Sequence, residues 1–244
     1  MRFKDQAICI RHLDWSETSQ IVVLLTPAHG KVRGLAKGSK RTSPSAIARF
    51  SGGIELLTRG QIVATTRPTV ALATLTEWDL QDAYPHLRQN LYAQQMAMVA
   101  ADLCHAMLAD DDPHPDTFAL MQTFLESLCH DKPQAALLGF QWGLLGDCGY
   151  RPQLEVDVQT GEPLPKADSY TFDPVGGGLT TQRSTTDWRV RRATVDLLRQ
   201  WDQSQSLPAD DAAIERANRL LCVYFRALLD KALPTMKIVL GASG

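Results

Sequence analysis

A cluster of cations lies between residues 30 and 49, which read GKVRGLAKGSKRTSPSAIAR and include no acidic residue. Its basic members are Lys31, Arg33, Lys37, Lys40, Arg41 and Arg49. Gly34 and Gly38 permit close backbone approach, and Ser39, Thr42 and Ser43 add neutral donors suited to phosphate oxygens. Because phosphates attract clustered cations regardless of base sequence, the cluster predicts a nucleic-acid surface. The alternative is a solvated, mobile loop that is charged for solubility.

Aromatic side chains are scarce around these cations, with Trp15 and Phe50 nearby. Base stacking needs aromatic rings, so we expect any sequence preference to be weak.

The motifs of several enzyme classes are missing. A phosphate-binding P-loop needs Gly-Lys-Ser/Thr at its end, whereas Gly30-Lys31 is followed by Val32. No GxSxG, HExxH or GxGxxG pattern occurs. Two Cys-His dipeptides, Cys104-His105 and Cys129-His130, raise the alternative of a hydrolase or transferase, which would require their side chains to converge in one pocket. The dipeptides also raise the alternative of a metal site, but neighbouring residues on a helix point about 100° apart, so each dipeptide offers only one ligand. Two ligands do not make a closed zinc site, which favours core cysteines beside surface histidines.

A second basic cluster occupies residues 187 to 199, DWRVRRATVDLLR, and includes Arg189, Arg191 and Arg192. These residues read as the start of a helix, where cations are unfavourable unless an anion meets them. An acidic peptide could bind there through arginine–carboxylate bonds beside an apolar groove. The alternative is a solvated helix face balanced by Asp187 and Asp196.

Charge divides the 244 residues into two parts, although the formal net charge is only -2. Residues 1–75 carry 11 basic and 4 acidic side chains, a net of +7, and residues 76–244 carry 14 and 23, a net of -9. This asymmetry predicts two modules with different partners. Five widely spaced cysteines and an N-terminus without a long apolar run predict a cytoplasmic protein that does not enter a membrane.

The elements that must position these residues change character near residue 76. Before it, short β-like runs predict five or six strands in a small closed barrel, with an SH3-like barrel as the main rival. Turns are predicted at 27–30 and, as a hairpin after a strand GIELL, at 58–61. The fold class is therefore α+β, with a barrel at 1–76 and a helical domain at 77–244.

Helical periodicity predicts five helices after the barrel. They run from Pro85 to Leu108 with an apolar stripe of Leu87, Leu91, Met98, Ala101 and Leu108, from 116 to 130, from Pro133 to Cys148-Gly149, from Thr186 or Asp187 to Trp201, and from Pro208 to Lys231. Residues 150–185 lose this period and gain Pro and Gly, which predicts a small β or loop insert.

Several segments in order resemble the RecO family of bacterial recombination and repair mediators. The most specific is LTPAHGKVRGLAKGSKR at residues 25–41. FQWGLL at 140–145, followed by GYRPQL at 149–154, resembles the family's helix and its Gly-x-x-Pro-x-Leu turn. YTFD at 170–173 and the glycines at 176–178 resemble its small module. The resemblance covers nearly the whole chain.

The resemblance implies an N-terminal OB-fold, a helical domain and a small module that often holds zinc with four cysteines. This chain departs from that pattern, because it reads DVQTG at 157–161 and GLTTQ at 178–182, where the cysteine pairs would lie. The sequence therefore predicts no metal and no other cofactor. Packing by Tyr170, Phe172 and Trp188 is expected to supply part of a substitute core.

The resemblance also implies a function without catalysis. Proteins of this kind bind single- and double-stranded DNA, anneal complementary strands, recognise the acidic C-terminal tail of single-stranded DNA-binding protein, join RecR and help RecA to load onto coated DNA. A cytoplasmic, nucleoid-associated location follows. The alternative is an OB-fold RNA-binding factor without catalytic activity, which a preference for RNA over DNA of equal length would reveal.

Overall fold

The chain is described by a computed structural model over residues 1–67, 70–130, 132–182, 188–204 and 210–241. It divides into two compact units, Met1–Cys129 and His130–Gly244. In the described ranges, every helix is too short or too polar to cross a membrane.

The first unit begins with a closed five-stranded barrel. Its strands are β1 (Arg2–Ser16), β2 (Ser19–Thr26), β3 (Gly30–Ala36), β4 (Arg59–Arg67) and β5 (Val70–Asp82). Their order is β1-β2-β3-β5-β4, and β1 also pairs with β4 to close the barrel. The β3–β5 pairing is parallel and the others are antiparallel. This is the arrangement of an OB-fold, which confirms the predicted α+β class and N-terminal barrel.

Alternating side chains of the strands fill the barrel. Val22 and Leu24 of β2 point into the core, and Val32 and Ala36 of β3 meet them there. The helix α1 (Pro44–Phe50) brings the buried Phe50 into the same core.

The predicted strand GIELL and the hairpin at 58–61 are wrong. Residues 53–58 are irregular, although Ile54 and Leu57 are buried, and β4 starts at Arg59. Leu57 has a positive φ of 61°, which interrupts any strand, while its N–H donates to the Cys9 carbonyl at 2.8 Å. An apolar run here fills the barrel core instead of forming a sixth strand.

The barrel extends six residues beyond the predicted end at residue 76, because β5 continues to Asp82. Trp78 points into the core while Glu77 and Asp79 are exposed. A register shift in the β4–β5 pairing at Val63/Ala64 accompanies this segment. Such a shift disturbs the strict alternation by which a strand is recognised.

Three helices complete the first unit: α2 (Pro85–Gln89), α3 (Leu91–Met107) and α4 (Pro115–Ser127). The single helix predicted from Pro85 to Leu108 is interrupted at Asn90, whose side chain accepts from the N–H groups of Tyr92 and Ala93 and so caps α3. The predicted apolar stripe is partly wrong, since Leu91 and Met98 are exposed. The apolar face predicted for the helix at 116–130 is buried as expected.

The second unit contains α5 (Pro133–Asp147), the strands β6 (Ser169–Asp173), β7 (Gly178–Thr180) and β8 (Trp188–Arg191), and then α6 (Arg192–Ser204), α7 (Asp211–Leu229) and α8 (Met236–Leu240). The strands form one sheet in the order β7-β6-β8, which confirms a small β insert. Helices α5 and α6 pack on α7. The starts predicted for the last two long helices, at Thr186 or Asp187 and at Pro208, lie outside the described residues.

Candidate nucleic-acid interface and peptide groove

The segment Lys37–Arg41, here called the basic loop, connects β3 to α1 and is held in place by hydrogen bonds. The Lys40 N–H donates to the Thr18 carbonyl at 3.1 Å, and the Gly38 N–H donates to the Ser19 hydroxyl at 3.1 Å. Ser39 is fully buried, and its hydroxyl donates to Gln20 Oε1 at 2.9 Å. The predicted use of Ser39 as a phosphate donor is therefore wrong, because its hydroxyl anchors the loop.

Three cations of the basic loop face solvent: Lys37, Lys40 and Arg41. Lys40 Nζ lies 2.8 Å from Asp14 Oδ2. Asp14 belongs to β1, close to the turn between β1 and β2. The hydrogen bond from Lys40 lowers the pKa of the Asp14 carboxyl. An exposed pair of this kind contributes little to stability, and a phosphate could take the place of the carboxylate.

Lys31 differs from these residues because it is buried, with 7% of its surface exposed. Its Nζ donates to the carbonyls of His105 and Leu108, at 2.8 and 2.6 Å, and lies 3.2 Å from Asp110 Oδ1. These carbonyls belong to the C-terminal end of α3, where a cation is favourable. Lys31 thus fastens α3 to the barrel, and all three of its donor positions are directed at protein oxygens.

The other two predicted cations lie beside acidic residues. Arg33 is exposed, and its Nη1 is 3.9 Å from Asp110 Oδ2. Arg49, on α1, lines a shallow groove that Glu77 and Asp79 also line. The assignment of all six cations to one DNA surface stays a prediction, and the basic loop holds the three that stand together at the β1–β2 turn.

Arg11 and Trp15 are surface residues near the cluster to which the sequence assigned no DNA contact. Arg11 on β1 and Arg33 on β3 both pair with Val23 of β2 and thus flank it on one face of the barrel. Trp15 is exposed, whereas Phe50, the other nearby aromatic residue, is buried. Arg11 could have been found from strand alternation, but the exposure of Trp15 depends on how the hairpin leaves the barrel.

A groove of about 470 Å³ lies in the second unit, between β8 and α7. Its arginines are Arg189, Arg191, Arg216, Arg219 and Arg226, and its apolar lining comes from Trp188, Val190, Leu220, Val223 and Leu240. The Thr194 hydroxyl and the Arg216 Nε, both at this groove, are buried without a hydrogen-bond partner. Unsatisfied buried polar atoms beside an apolar floor are typical of a site that a ligand completes.

The predicted arginine cluster divides at this groove. Arg189 and Arg191 line it from the strand β8, so the prediction that they start a helix is wrong. Arg192 begins α6, and its Nε lies 3.3 Å from Asp196 Oδ2 instead.

The arginines of α7 were missed by sequence reasoning. Arg216, Arg219 and Arg226 recur at helical spacing with Leu220 and Val223 between them, so all lie on one face. Their spacing is the signal in the sequence from which a basic helix face could have been predicted.

The residues of the insert do not fit a zinc site. Asp157, where a cysteine pair would lie, is buried, and its carboxylate accepts from the N–H and hydroxyl of Thr181 and from the Gln159 N–H. Burial raises the pKa of this carboxyl, but the bonds from Thr181 and Gln159 outweigh burial and hold that pKa below its ordinary value. Across the described part of the chain, no three His, Cys, Asp or Glu side chains gather closely enough to hold a metal ion.

The packing of the insert agrees in part with the substitute core expected from the sequence. Tyr170 and Phe172 are buried, and the Phe172 ring meets the Tyr224 ring edge to face, with centroids 5.2 Å apart. Trp188 is only half-buried.

Three of the five cysteines are buried and offer poor nucleophiles, whereas Cys129 is exposed. Cys104 is fully buried, which removes it from any substrate. Burial raises the pKa of Cys9 and of Cys222 to about 12 each, so both are thiols at neutral pH.

Comparison with known proteins places both units in one family. Residues 1–84 match the family model described as Recombination protein O N terminal, and residues 88–237 match Recombination protein O C terminal. The DNA repair protein RecO of Myxococcus xanthus is 27% identical over 243 residues, which cover 96% of each chain. That of Geobacter metallireducens is 32% identical over 163 residues, covering 66% of this chain and 64% of the relative. The chain therefore belongs to the RecO family of DNA repair proteins.

Proposed function

We propose that this chain is a non-catalytic DNA repair and recombination mediator that binds single- and double-stranded DNA through the basic loop and promotes strand annealing. One observation carries the proposal: the loop presents Lys37, Lys40 and Arg41 to solvent from an anchored backbone, with Asp14 as their close acidic neighbour. Anchoring reduces the entropy that a mobile loop would lose on binding. Contacts between exposed cations and phosphates are sensitive to salt and easily exchanged, as a mediator requires.

The test is a triple variant, Lys37→Ala, Lys40→Ala and Arg41→Ala. Its affinity for single-stranded DNA should fall, and the slope of log affinity against log salt should decrease by about 2, since each lost phosphate contact contributes about 0.7. The matched control replaces three exposed lysines of the second unit, Lys132, Lys166 and Lys231. Equal affinity and slope in the two variants would refute the loop as the DNA surface.

The same experiment separates DNA from RNA binding. Tighter binding of RNA than of DNA of equal length would favour the alternative of an RNA-binding factor. Membership of a DNA repair family supports the DNA reading.

A second proposed activity is recognition of the acidic C-terminal tail of single-stranded DNA-binding protein by the groove between β8 and α7. The groove combines five arginines, which suit carboxylates, with an apolar lining against which a bound peptide can pack. The unpartnered Thr194 hydroxyl and Arg216 Nε add donors that a peptide could satisfy.

A charge-reversal pair tests the groove. Arg191→Glu alters its lining, whereas Arg192→Glu alters the neighbouring residue, which pairs with Asp196 outside the lining. Calorimetry with an acidic tail peptide should give at least about tenfold weaker binding for Arg191→Glu and little change for Arg192→Glu. Equal effects of the two variants would remove the groove from the proposal.

The two surfaces together support a mediator that, with RecR, helps RecA to load onto DNA coated by single-stranded DNA-binding protein, in the cytoplasm at the nucleoid. One surface would hold DNA and the other would hold the coating protein, so each variant should slow RecA loading by a different route. RecA activity on coated DNA, measured with RecR present, should fall for both the triple variant and Arg191→Glu. Loss for neither variant would contradict this role.

A further inference from the structure

The β1–β2 hairpin extends past the barrel core at its turn. Residues Arg11–Ser16 of β1 are exposed without exception, whereas residues 7–10 of the same strand are buried. A strand with one face on a core shows alternating burial, so this end of β1 leaves the core on both faces. It presents two large apolar side chains to solvent, Leu13 at 62% and Trp15 at 64% exposure.

A β-bulge determines how Trp15 is presented. Asp14 pairs with Gln20 and Ser16 pairs with Ser19, so Trp15 is the extra residue of β1 and has no partner on β2. Bulges change the direction of a side chain and often lie next to functional sites. The sequence thus places its most exposed tryptophan at an irregular position, where it gains little from packing.

The basic loop lies against the same turn of the hairpin. Its Lys40 N–H is bonded to the Thr18 carbonyl, and its Lys40 ammonium meets Asp14, the residue before Trp15. An exposed indole and three exposed cations therefore share one end of the barrel. A single strand offers both partners for such a surface, since its phosphates suit the cations and its unstacked bases suit the ring.

Resting on the proposed DNA-binding function, we propose that Trp15 is a stacking platform for an unpaired base, so that the hairpin and basic loop together prefer single-stranded over double-stranded DNA. In a duplex the bases are already stacked and paired, so Trp15 has no base face to contact. Phe50 cannot replace it, because 1% of that residue is exposed.

Fluorescence gives a direct readout of stacking. Trp78 and Trp142 are buried and Trp188 and Trp201 are half-buried, so Trp15 should account for most of any quenching by oligonucleotide. The part of the quenching that disappears in Trp15→Phe belongs to Trp15.

Affinity is then measured for Trp15→Ala, Trp15→Phe and a neighbouring control, Leu13→Ala, on single-stranded DNA, duplex DNA and single-stranded RNA of equal length. Trp15→Ala should bind single-stranded DNA about tenfold more weakly, with an unchanged salt slope, because stacking is sequence-tolerant and involves no phosphate. Trp15→Phe should retain most of the affinity, and duplex binding should change less than about twofold.

Each other outcome has a defined meaning. Unchanged single-strand affinity in Trp15→Ala, while the basic-loop triple variant binds weakly, would overturn the stacking role and leave the proposed function intact. Equal losses for single strands and duplexes, or for Leu13→Ala and Trp15→Ala, would overturn it as well. A larger loss with RNA than with DNA would assign the ring to RNA. A parent protein that binds no DNA would refute the proposed function itself.

Discussion

The Asp157 carboxylate accepts two hydrogen bonds from Thr181, one from its backbone N–H and one from its hydroxyl, each 2.7 Å long. The two residues lie 24 positions apart and join the two segments that would carry the cysteine pairs of a zinc module. A buried carboxylate that is fully supplied with donors can thus link loops that a metal would otherwise hold. The strength of this link depends on the ionisation state of the Asp157 carboxyl and not on the supply of a metal ion.

Asp157→Asn should lower the free energy of unfolding by about 2 kcal/mol at neutral pH, because it removes charge-assisted hydrogen bonds from a buried site. Folding lowers the pKa of the Asp157 carboxyl, so its contribution is present above the unfolded pKa of about 3.9 and is lost as the pH falls. Urea unfolding at pH 7 and pH 3.5 should therefore show a smaller difference between parent and variant in acid. A constant difference would contradict this account, and the exposed Glu162→Gln is the control.

Chelation should leave the stability of the parent protein unchanged. The insert is held by Asp157, by the Phe172–Tyr224 ring contact and by the β6 pairings, none of which needs a metal. Thermal unfolding is compared before and after dialysis against a strong chelator, with metal content measured on the same sample. A Tm that falls by several degrees and recovers with zinc would contradict the prediction.

Lys31→Met should destabilise the first unit without weakening DNA binding. It leaves the carbonyls of His105 and Leu108 without their donor and Asp110 without a close cation, at a cost of about 3 kcal/mol. Lys37→Met, on an exposed side chain, should change stability by less than about 0.5 kcal/mol but reduce DNA affinity. Urea unfolding and DNA affinity are measured for both variants. If Lys31→Met lost DNA affinity but kept its stability, Lys31 would be a DNA-binding residue and not a structural one.

Asp14→Asn should tighten the binding of single-stranded DNA. It removes the carboxylate 2.8 Å from the Lys40 ammonium and leaves that cation available to a phosphate. We expect an increase of about threefold at low salt that diminishes as salt screens the charges. Glu17→Gln, an exposed change of equal charge on the adjacent turn, should have a smaller effect. Equal gains in affinity for both variants would show that the change in net charge, and not the loss of the contact with Lys40, causes the effect.

Alternation and helical period were sufficient for the main elements of the fold. The buried residues of the helix α4 and the turn between β2 and β3 followed directly from these patterns. They failed at Ile54 and Leu57, where apolar residues enter the core from irregular backbone, and at Leu91, whose helix begins only after the cap at Asn90. Burial without regular backbone leaves no period to detect.

The sequence predicted which charged residues form the candidate site but not which of them are exposed or how they are arranged. Lys31 and Lys37 look alike in the sequence, yet one is buried against the end of α3 and the other is exposed. The difference depends on Asp110 and the α3 carbonyls, which are more than 70 positions away from Lys31. Arg191 and Arg192 separate for a similar reason, since β8 ends between them. Tertiary contacts of this kind do not leave a local pattern.

The order of strands in the barrel has a consequence for biosynthesis. β5 lies between β3 and β4, although it is the last of the five to be made. A nascent chain that has left the ribosome only as far as residue 67 can pair β1 with β2 and β4, but β3 still has an open edge. Open edges pair readily with other chains, so a stalled product of that length should aggregate or require a chaperone. The end of the barrel that carries the basic loop and the β1–β2 hairpin is therefore made before the barrel can close.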